Sequence, residues 1–393
     1  MKQFKIFTFF FIYIYIYLQE RKPIFEGCPL TVEESDILIM SHAIRHQSTD
    51  AEIEDLIKLI NCHLPVSVNP TKYMFFKKFV NIARVQNHYY CPTCIVLLDF
   101  RNAKRANCPN CQSLYIETDL QRNNNFFVHI FLKKQLQHLL SGPLFYKLQR
   151  NRDDINISDV TSGQVYKALL EKDIINNFDI SVQCNLDGVN TFKSSKVSMC
   201  PIQVAVNELS YRDRKDNIIL TGLWCGKEKP VMDIYLRPFI DELKDLHENG
   251  INCLPPNFDE HINIKVHTFL SPVDSVARCT LQNINQYNGE YGCSFCLHPG
   301  QHVKVGNGYA RIYCGDKRRA RTEQQHKIHT EMALAEGKSV TVKGPSLFML
   351  VPIFNITISF PPDYMHSVLL GVVKMFFIAW FDSKNSECPW YIG

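Results

Sequence analysis

Residues 180–188 read ISVQCNLDG, and this stretch decides the fold. Its first seven residues have the character of a β-strand, and Asp187-Gly188 is a turn pair that ends it. Working outward, PIQVAVNEL at 201–209 and NIILTGLWC at 217–225 read as two further strands. A helix is expected over 231–248, because Met232, Leu236, Phe239, Leu243 and Leu246 recur at spacings of four and three before Gly250. Pro238 inside that window implies a kink or a late start. INIKVHTFL at 262–270 is a fourth strand, and Asp274 follows it closely. The chain order β-β-β-α-β describes an α/β core with a mixed sheet, with one carboxylate after the first strand and one after the fourth.

That placement carries chemistry if the first and fourth strands are neighbours, which a right-handed crossover after three hairpin-connected strands permits. Asp187 and Asp274 would then converge at one edge of the sheet. Two ionised carboxylates in one place repel unless a cation lies between them. Hard divalent ions such as Mg²⁺ are held by one or two carboxylates together with phosphate oxygens. Such ions activate an attacking oxygen and steady the leaving one in phosphodiester cleavage. Asp-Gly and Pro-x-Asp-Ser are also ordinary turn sequences, and on spacing alone the turn reading comes first.

Upstream, CPTC at 91–94 and CPNC at 108–111 are separated by thirteen residues. Two Cys-x-x-Cys knuckles at this distance place Cys91, Cys94, Cys108 and Cys111 where one tetrahedral zinc takes all four thiolates. Arg101, Lys104 and Arg105 between the knuckles favour thiolate over thiol. A filled site of this kind folds a small module and performs no catalysis. Ahead of it, TVEE at 31–34 and TDAE at 49–52 are capping boxes that open apolar-periodic helices. With a third helix near 73–80 they form a helical hairpin that packs, or a helix-turn-helix-like bundle.

The chain has 393 residues, 46% hydrophobic and 21% charged, which is the composition of a folded protein. Its 43 Lys and Arg against 39 Asp and Glu leave a net charge of +4, too weak alone to announce a nucleic-acid partner. Fifteen cysteines spread over this length argue against a secreted disulfide scaffold. The run FTFFFIYIYIYL at 7–18 is shorter than a membrane span and lacks a small-x-small cleavage site. It reads first as an apolar extension, then as a peripheral strand or helix, and last as an export signal. A secreted or membrane-tethered protein rests on that run alone.

Several blocks together resemble CACTA-type (En/Spm-like) DNA transposases, in the form found in animal proteins carrying this domain. NLDGVNTFKSS at 185–195 is similar to the first-aspartate block, continued by Pro201-Ile202, NEL at 207–209 and GLWCGK at 222–227 to Pro230. DSVAR at 274–278 is similar to the second-aspartate block, and NGEYGCSFCLHPG at 288–300 and DYMHSVLLGVVK at 363–374 match two more. The resemblance covers roughly residue 25 to the end. It implies an RNase H-like core and a DDE/D mechanism, with Asp187 and Asp274 as the first two acids for Mg²⁺ or Mn²⁺. In that family the third acid lies on a helix well beyond the Asp-x-x-His block. The sequence ends at Gly393, and the late acids Asp382 and Glu387 stand in contexts that do not match. The resemblance therefore implies a truncated core, inactive alone in strand transfer.

CSFC at 293–296, with His298 and His302 nearby, is half of a second zinc site that Cys314 or the distant His366 would complete; a tight turn with buried thiols is the alternative. In Asp363-x-x-His366 both polar groups share one helical turn, and Asp363 also reads as an N-cap. Residues 301–345 hold nine Lys and Arg against four Asp and Glu. Lys317, Arg318, Arg319 and Arg321 form their dense centre, suited to phosphate contact, to nuclear import, or to a solvated loop. The expected organisation is an extension at 1–27, a helical region at 28–85, the zinc module at 86–120 and a helical linker at 121–175. The first part of the core at 176–280, a Cys/His and basic insertion at 281–362 and a final core helix at 363–393 follow. Zinc, DNA, self-association and a nuclear location go with this reading; a small-molecule substrate and a membrane do not. The two functions in contention are a transposase-derived DNA-cleaving protein and a non-catalytic DNA-binding or interaction protein built from the same parts.

Overall fold

The structure is a computed structural model that describes residues 23–46, 48–80, 85–101, 103–149, 158–190, 198–226, 228–315, 318–337, 339 and 341–393. The apolar run at 7–18 and Lys317 lie outside the described residues.

One mixed sheet organises the chain. Its strands are β1 (Val85–Tyr90), β2 (Leu97–Leu98), β3 (Phe126–Ile130), β4 (Ile180–Leu186), β5 (Ser198–Val206), β6 (Ile219–Gly226) and β7 (Val266–Leu270). Their order across the sheet is β7-β4-β5-β6-β3-β1-β2, and the short Val189–Asn190 adds a pairing to β5. β7 runs parallel to β4. The remaining neighbours along the path are antiparallel.

β4 is buried along nearly its whole length as an interior strand, and helices pack on both faces of the sheet. On one face Phe239, Ile240, Leu243 and Leu246 of the helix Arg237–Glu248 join Leu132, Leu136 and Leu140 of the helix Leu132–Leu140. On the other, the helices Val32–Arg45, Asp50–His63 and Lys72–Val80 bring Ile39, Met40, Ile53, Ile57 and Phe75 against Ile130 and Leu220. Adjacent residues Ile219 and Leu220 of β6 belong to these two different clusters, as alternation along a strand requires. Both capping boxes form: the Glu34 amide donates to the Thr31 hydroxyl at 3.2 Å, and the Thr49–Glu52 pair is reciprocal.

The helix Leu132–Leu140 has no capping side chain of its own. Glu242 on the neighbouring helix supplies one, accepting from the amides of Leu132 at 3.0 Å and Lys133 at 2.8 Å and bonding His129 Nε2 at 3.0 Å. Pro238 falls in the first turn of Arg237–Glu248, and a separate turn, Met232–Tyr235, precedes it; the late start is realised.

Three expectations are corrected. Residues 126–130, expected as helix, form β3, because Phe127 and Val128 fill opposite faces of the sheet. The residues 262–270 are two strands: Ile262–Ile264 pairs with Ile251–Cys253, and only Val266–Leu270 enters the main sheet. The final helix forms over 365–381 as expected, as a π-helix, Met365–Val373, continued by an α-helix, Lys374–Phe381, but neither part buries a residue, so its place in the core is corrected. Among the described residues no helix is long and apolar enough to cross a membrane.

Candidate metal centre and carboxylate site

β1 ends at Tyr90 and delivers Cys91 directly into the first knuckle. The two knuckles repeat one geometry: Ile95 donates to the Cys91 carbonyl at 2.8 Å and Gln112 to that of Cys108 at 3.0 Å. Ile95 and Gln112 both take positive φ, 53° and 60°, which turns each loop back upon its sulfurs. The Cys94 amide donates to Cys91 Sγ at 3.4 Å and the Cys111 amide to Cys108 Sγ at 3.5 Å. All four sulfurs lie within 4.8 Å of one another. Cys91 Sγ and Cys111 Sγ are 3.8 Å apart, which matches the edge of a tetrahedron with arms of about 2.3 Å, the zinc–sulfur distance. The donor set therefore fits a metal such as zinc. Ser113, through its hydroxyl and amide, holds the Cys111 thiol down to about 6, and the Cys94 thiol, hydrogen-bonded to Cys111, is pushed up to about 12. Tyr89, Leu98, Ala106 and Leu120 pack around the buried Cys91 and Cys108.

The second polar cluster lies beyond β4 and β7. Because these strands are parallel neighbours, Asp187 and Asp274 leave the sheet at the same end. Side chains stitch the exits together: Asn185 Nδ2 donates to the Pro272 carbonyl at 2.7 Å, and Ser271 Oγ to that of Cys184 at 2.7 Å. Asp274 caps the helix Ser275–Leu281, its Oδ1 accepting from the Ala277 amide at 2.6 Å. Residues 359–363 run beside this exit, with Ser271 N to Ser359 O at 2.7 Å, a parallel bridge of Val273 to Pro362, and Asp363 N to Val273 O at 3.3 Å. Asp363 Oδ1 in turn accepts from the His366 amide at 2.9 Å. Burial is the main reason the Asp187 carboxyl titrates above the ordinary carboxylate range. His366 pulls in the opposite direction, and the charges of Asp274 and Asp363 push it further up. Each capping aspartate commits one oxygen to its helix, and carboxylate oxygens are the donors that a hard divalent cation takes.

Cys293 and Cys296 lie 3.4 Å apart at their sulfurs. The histidines expected beside them are engaged elsewhere. His298 is buried, with Nδ1 accepting from the Gly300 amide at 2.8 Å and Nε2 donating to the Cys314 carbonyl at 3.1 Å. His302 sits on the exposed hairpin Gln301–Val305/Gly308–Ile312, where its Nε2 accepts from Arg311 at 2.8 Å. His366 stands beside Asp363, its Nδ1 3.4 Å from Oδ1. Among the described residues the four knuckle cysteines are the one group of three or more ligands close enough to share an ion. Two buried arginines hold the Cys293 loop instead: Arg321 donates to the carbonyls of Cys293 at 2.8 Å and Tyr291 at 2.5 Å, and Arg278 to Ser294 Oγ at 3.1 Å. Gly292 completes the turn, since a Cβ there would stand 1.9 Å from the Gln286 carbonyl. Arg321 is thereby removed from any phosphate-facing set, whereas Arg318 and Arg319 are exposed.

Sequence reasoning missed the proximity of Asp363 to Asp187; the one available signal was that Asp363 and His366 share a helical turn. Residues 169–357 match the family model described as Transposase family tnp2. No curated protein matches the chain.

Proposed function

We propose that the chain carries a transposase-derived, RNase H-like core for metal-dependent phosphodiester cleavage and strand transfer in DNA, of the CACTA type. The observation that carries the reading is the exit of Asp187 and Asp274 from adjacent parallel strands, inside the segment that matches the transposase family. Asp187 and Asp274 would hold Mg²⁺ or Mn²⁺, and when bound such an ion supplies Lewis acidity and charge neutralisation. The chain's own part is to fix two carboxylates in a half-buried place where their mutual repulsion favours a cation. Asp274 is fixed by its helix cap, and Asp187 by the stitches at Asn185 and Ser271. Exposed Arg318 and Arg319 contact phosphates, zinc at Cys91, Cys94, Cys108 and Cys111 folds the preceding module, and the protein acts in the nucleus.

The test is nicking of supercoiled DNA with Mg²⁺ or Mn²⁺, run beside Asp187→Ala. Activity in the parent chain that falls by at least about a hundredfold in the variant supports cleavage at this site. Identical traces leave the non-catalytic DNA-binding alternative, in which the core serves as a scaffold.

A further inference from the structure

Resting on the DNA-directed reading above, we propose that the hairpin Gln301–Val305/Gly308–Ile312 is a β-ribbon that lies in the major groove of duplex DNA, with His302, Lys304, Tyr309 and Arg311 on the face turned to the groove. This surface is separate from the carboxylates, and it holds the duplex rather than cutting it.

The strand pairing sorts the side chains. His302 opposes Arg311 and Lys304 opposes Tyr309, whereas Val303 opposes Ala310 and Val305 opposes Gly308. Directly opposed residues share a face and successive ones alternate, so one face is basic and aromatic and the other small and apolar. Every residue of the first strand is exposed, and Tyr309 on the second is 75% exposed. Gly306, at φ 57°, makes the tight turn at the tip. No acid occurs from Gln301 to Gly315, and the exposed Arg318 and Arg319 follow. A ribbon face of positive charge with no neighbouring carboxylate in its own strands complements phosphates. Two strands about 4.8 Å apart fit a groove about 12 Å wide, which admits a β-ribbon. The root of the hairpin is firmly held. Arg311 donates to the Pro299 carbonyl at 2.7 Å and to His302 Nε2 at 2.8 Å, and the Tyr313 hydroxyl accepts from the Gly292 amide at 3.1 Å. Arg278, on the helix that Asp274 caps, donates to Ser294 Oγ in that same turn, so ribbon and acid share one support.

The probe is a mixed-sequence DNA duplex, bound to the zinc-loaded full chain without added Mg²⁺ or Mn²⁺ and followed by fluorescence anisotropy over a salt series. Lys304→Gln removes one phosphate contact, so it should weaken binding about eightfold at about 0.1 M salt and flatten the slope of log affinity against log salt by about 0.9. Tyr309→Ser should weaken binding by about threefold or more with the slope unchanged, because tyrosine carries no charge. Val303→Thr and Val305→Thr, on the opposite face, should bind as the parent does, with circular dichroism unchanged in all four variants. If all four weaken alike, the loss belongs to folding of the hairpin and the face assignment is overturned. A parent chain that binds the single strand but not the duplex overturns the groove assignment. If Lys304→Gln and Tyr309→Ser bind the duplex like the parent, this inference falls alone, since the chain still binds DNA. A parent chain that binds no DNA overturns it together with the reading beneath it.

Discussion

Two regions of this molecule carry the same Cys-x-x-Cys spacing and meet opposite fates. At 91–111 two such pairs face each other, and the peptide amides, the left-handed residues Ile95 and Gln112 and the sulfur separations all converge on one tetrahedral point. At 293–296 a single pair stands among groups that have found other partners: His298 spends both ring nitrogens on backbone, and Arg321 and Arg278 tie the loop down. The difference teaches that paired knuckles present a donor set able to hold a metal, whereas a single pair whose neighbours already satisfy the loop serves first as a turn.

The largest effect should follow from attacking the complete cluster. Cys108→Ser, or removal of zinc with a strong chelator, should cost on the order of 5 kcal/mol of stability in the module, because metal binding and folding are one equilibrium there. Loss of zinc by elemental analysis, together with loss of near-ultraviolet circular dichroism, checks it; a variant that keeps its zinc breaks the comparison. Next, Arg321→Met should cost about 2–4 kcal/mol, since the carbonyls of Tyr291 and Cys293 lose a buried, charged donor. Urea denaturation measures it, and a neutral result would mean that something other than arginine holds that loop. Cys293→Ser should then change stability by less than about 1 kcal/mol and leave one zinc per chain. Two zinc ions in the parent falling to one in this variant would erase the distinction between the two regions.

The smallest effect concerns the carboxylate of Asp187, raised chiefly by burial. The folded-state pKa of Asp187 is raised, so its favourable contribution is present at low pH and is lost as pH rises through that value. Without divalent cation, Asp187→Asn should therefore raise the melting temperature at pH 7, by the equivalent of no more than about 1 kcal/mol because water screens a half-exposed group. The gain should vanish below about pH 4, where the parent carboxyl is already protonated in both states. A stabilisation that is equal at both pH values would assign the effect to packing.

What the sequence made legible was local. Thr31, Thr49 and Pro238 act within one turn of their own positions, and the strand Ile180–Leu186 and the two knuckles were readable from neighbours in the chain. Features set by distant contacts were not readable. Phe126–Ile130 is a strand because β6 and β1 accept it on either side, and nothing within the apolar stretch distinguishes it from helix. The break at Lys265 arises because its carbonyl accepts from Ile180 across the sheet while Ile264 turns to Ile251. Cys293 with His298 looked like ligands by proximity in sequence; only the third dimension shows the imidazole turned toward Cys314 and Gly300. Asp363 was seen as a cap, and its neighbour Asp274 lies 89 positions earlier, beyond the reach of any periodicity.

The pairing of β3 with β6 limits how this protein can be cut. The family-matched segment begins at residue 169, after β1, β2 and β3. Excised alone, it would present β6 as a raw margin with a row of unpaired amides and carbonyls, and Trp224 would lose Tyr90 and Phe127, which stack on it. Such a fragment invites strand-to-strand clumping between copies. A soluble minimal unit therefore has to start ahead of the first knuckle, so the thiol tetrad travels with the acids in any useful expression boundary.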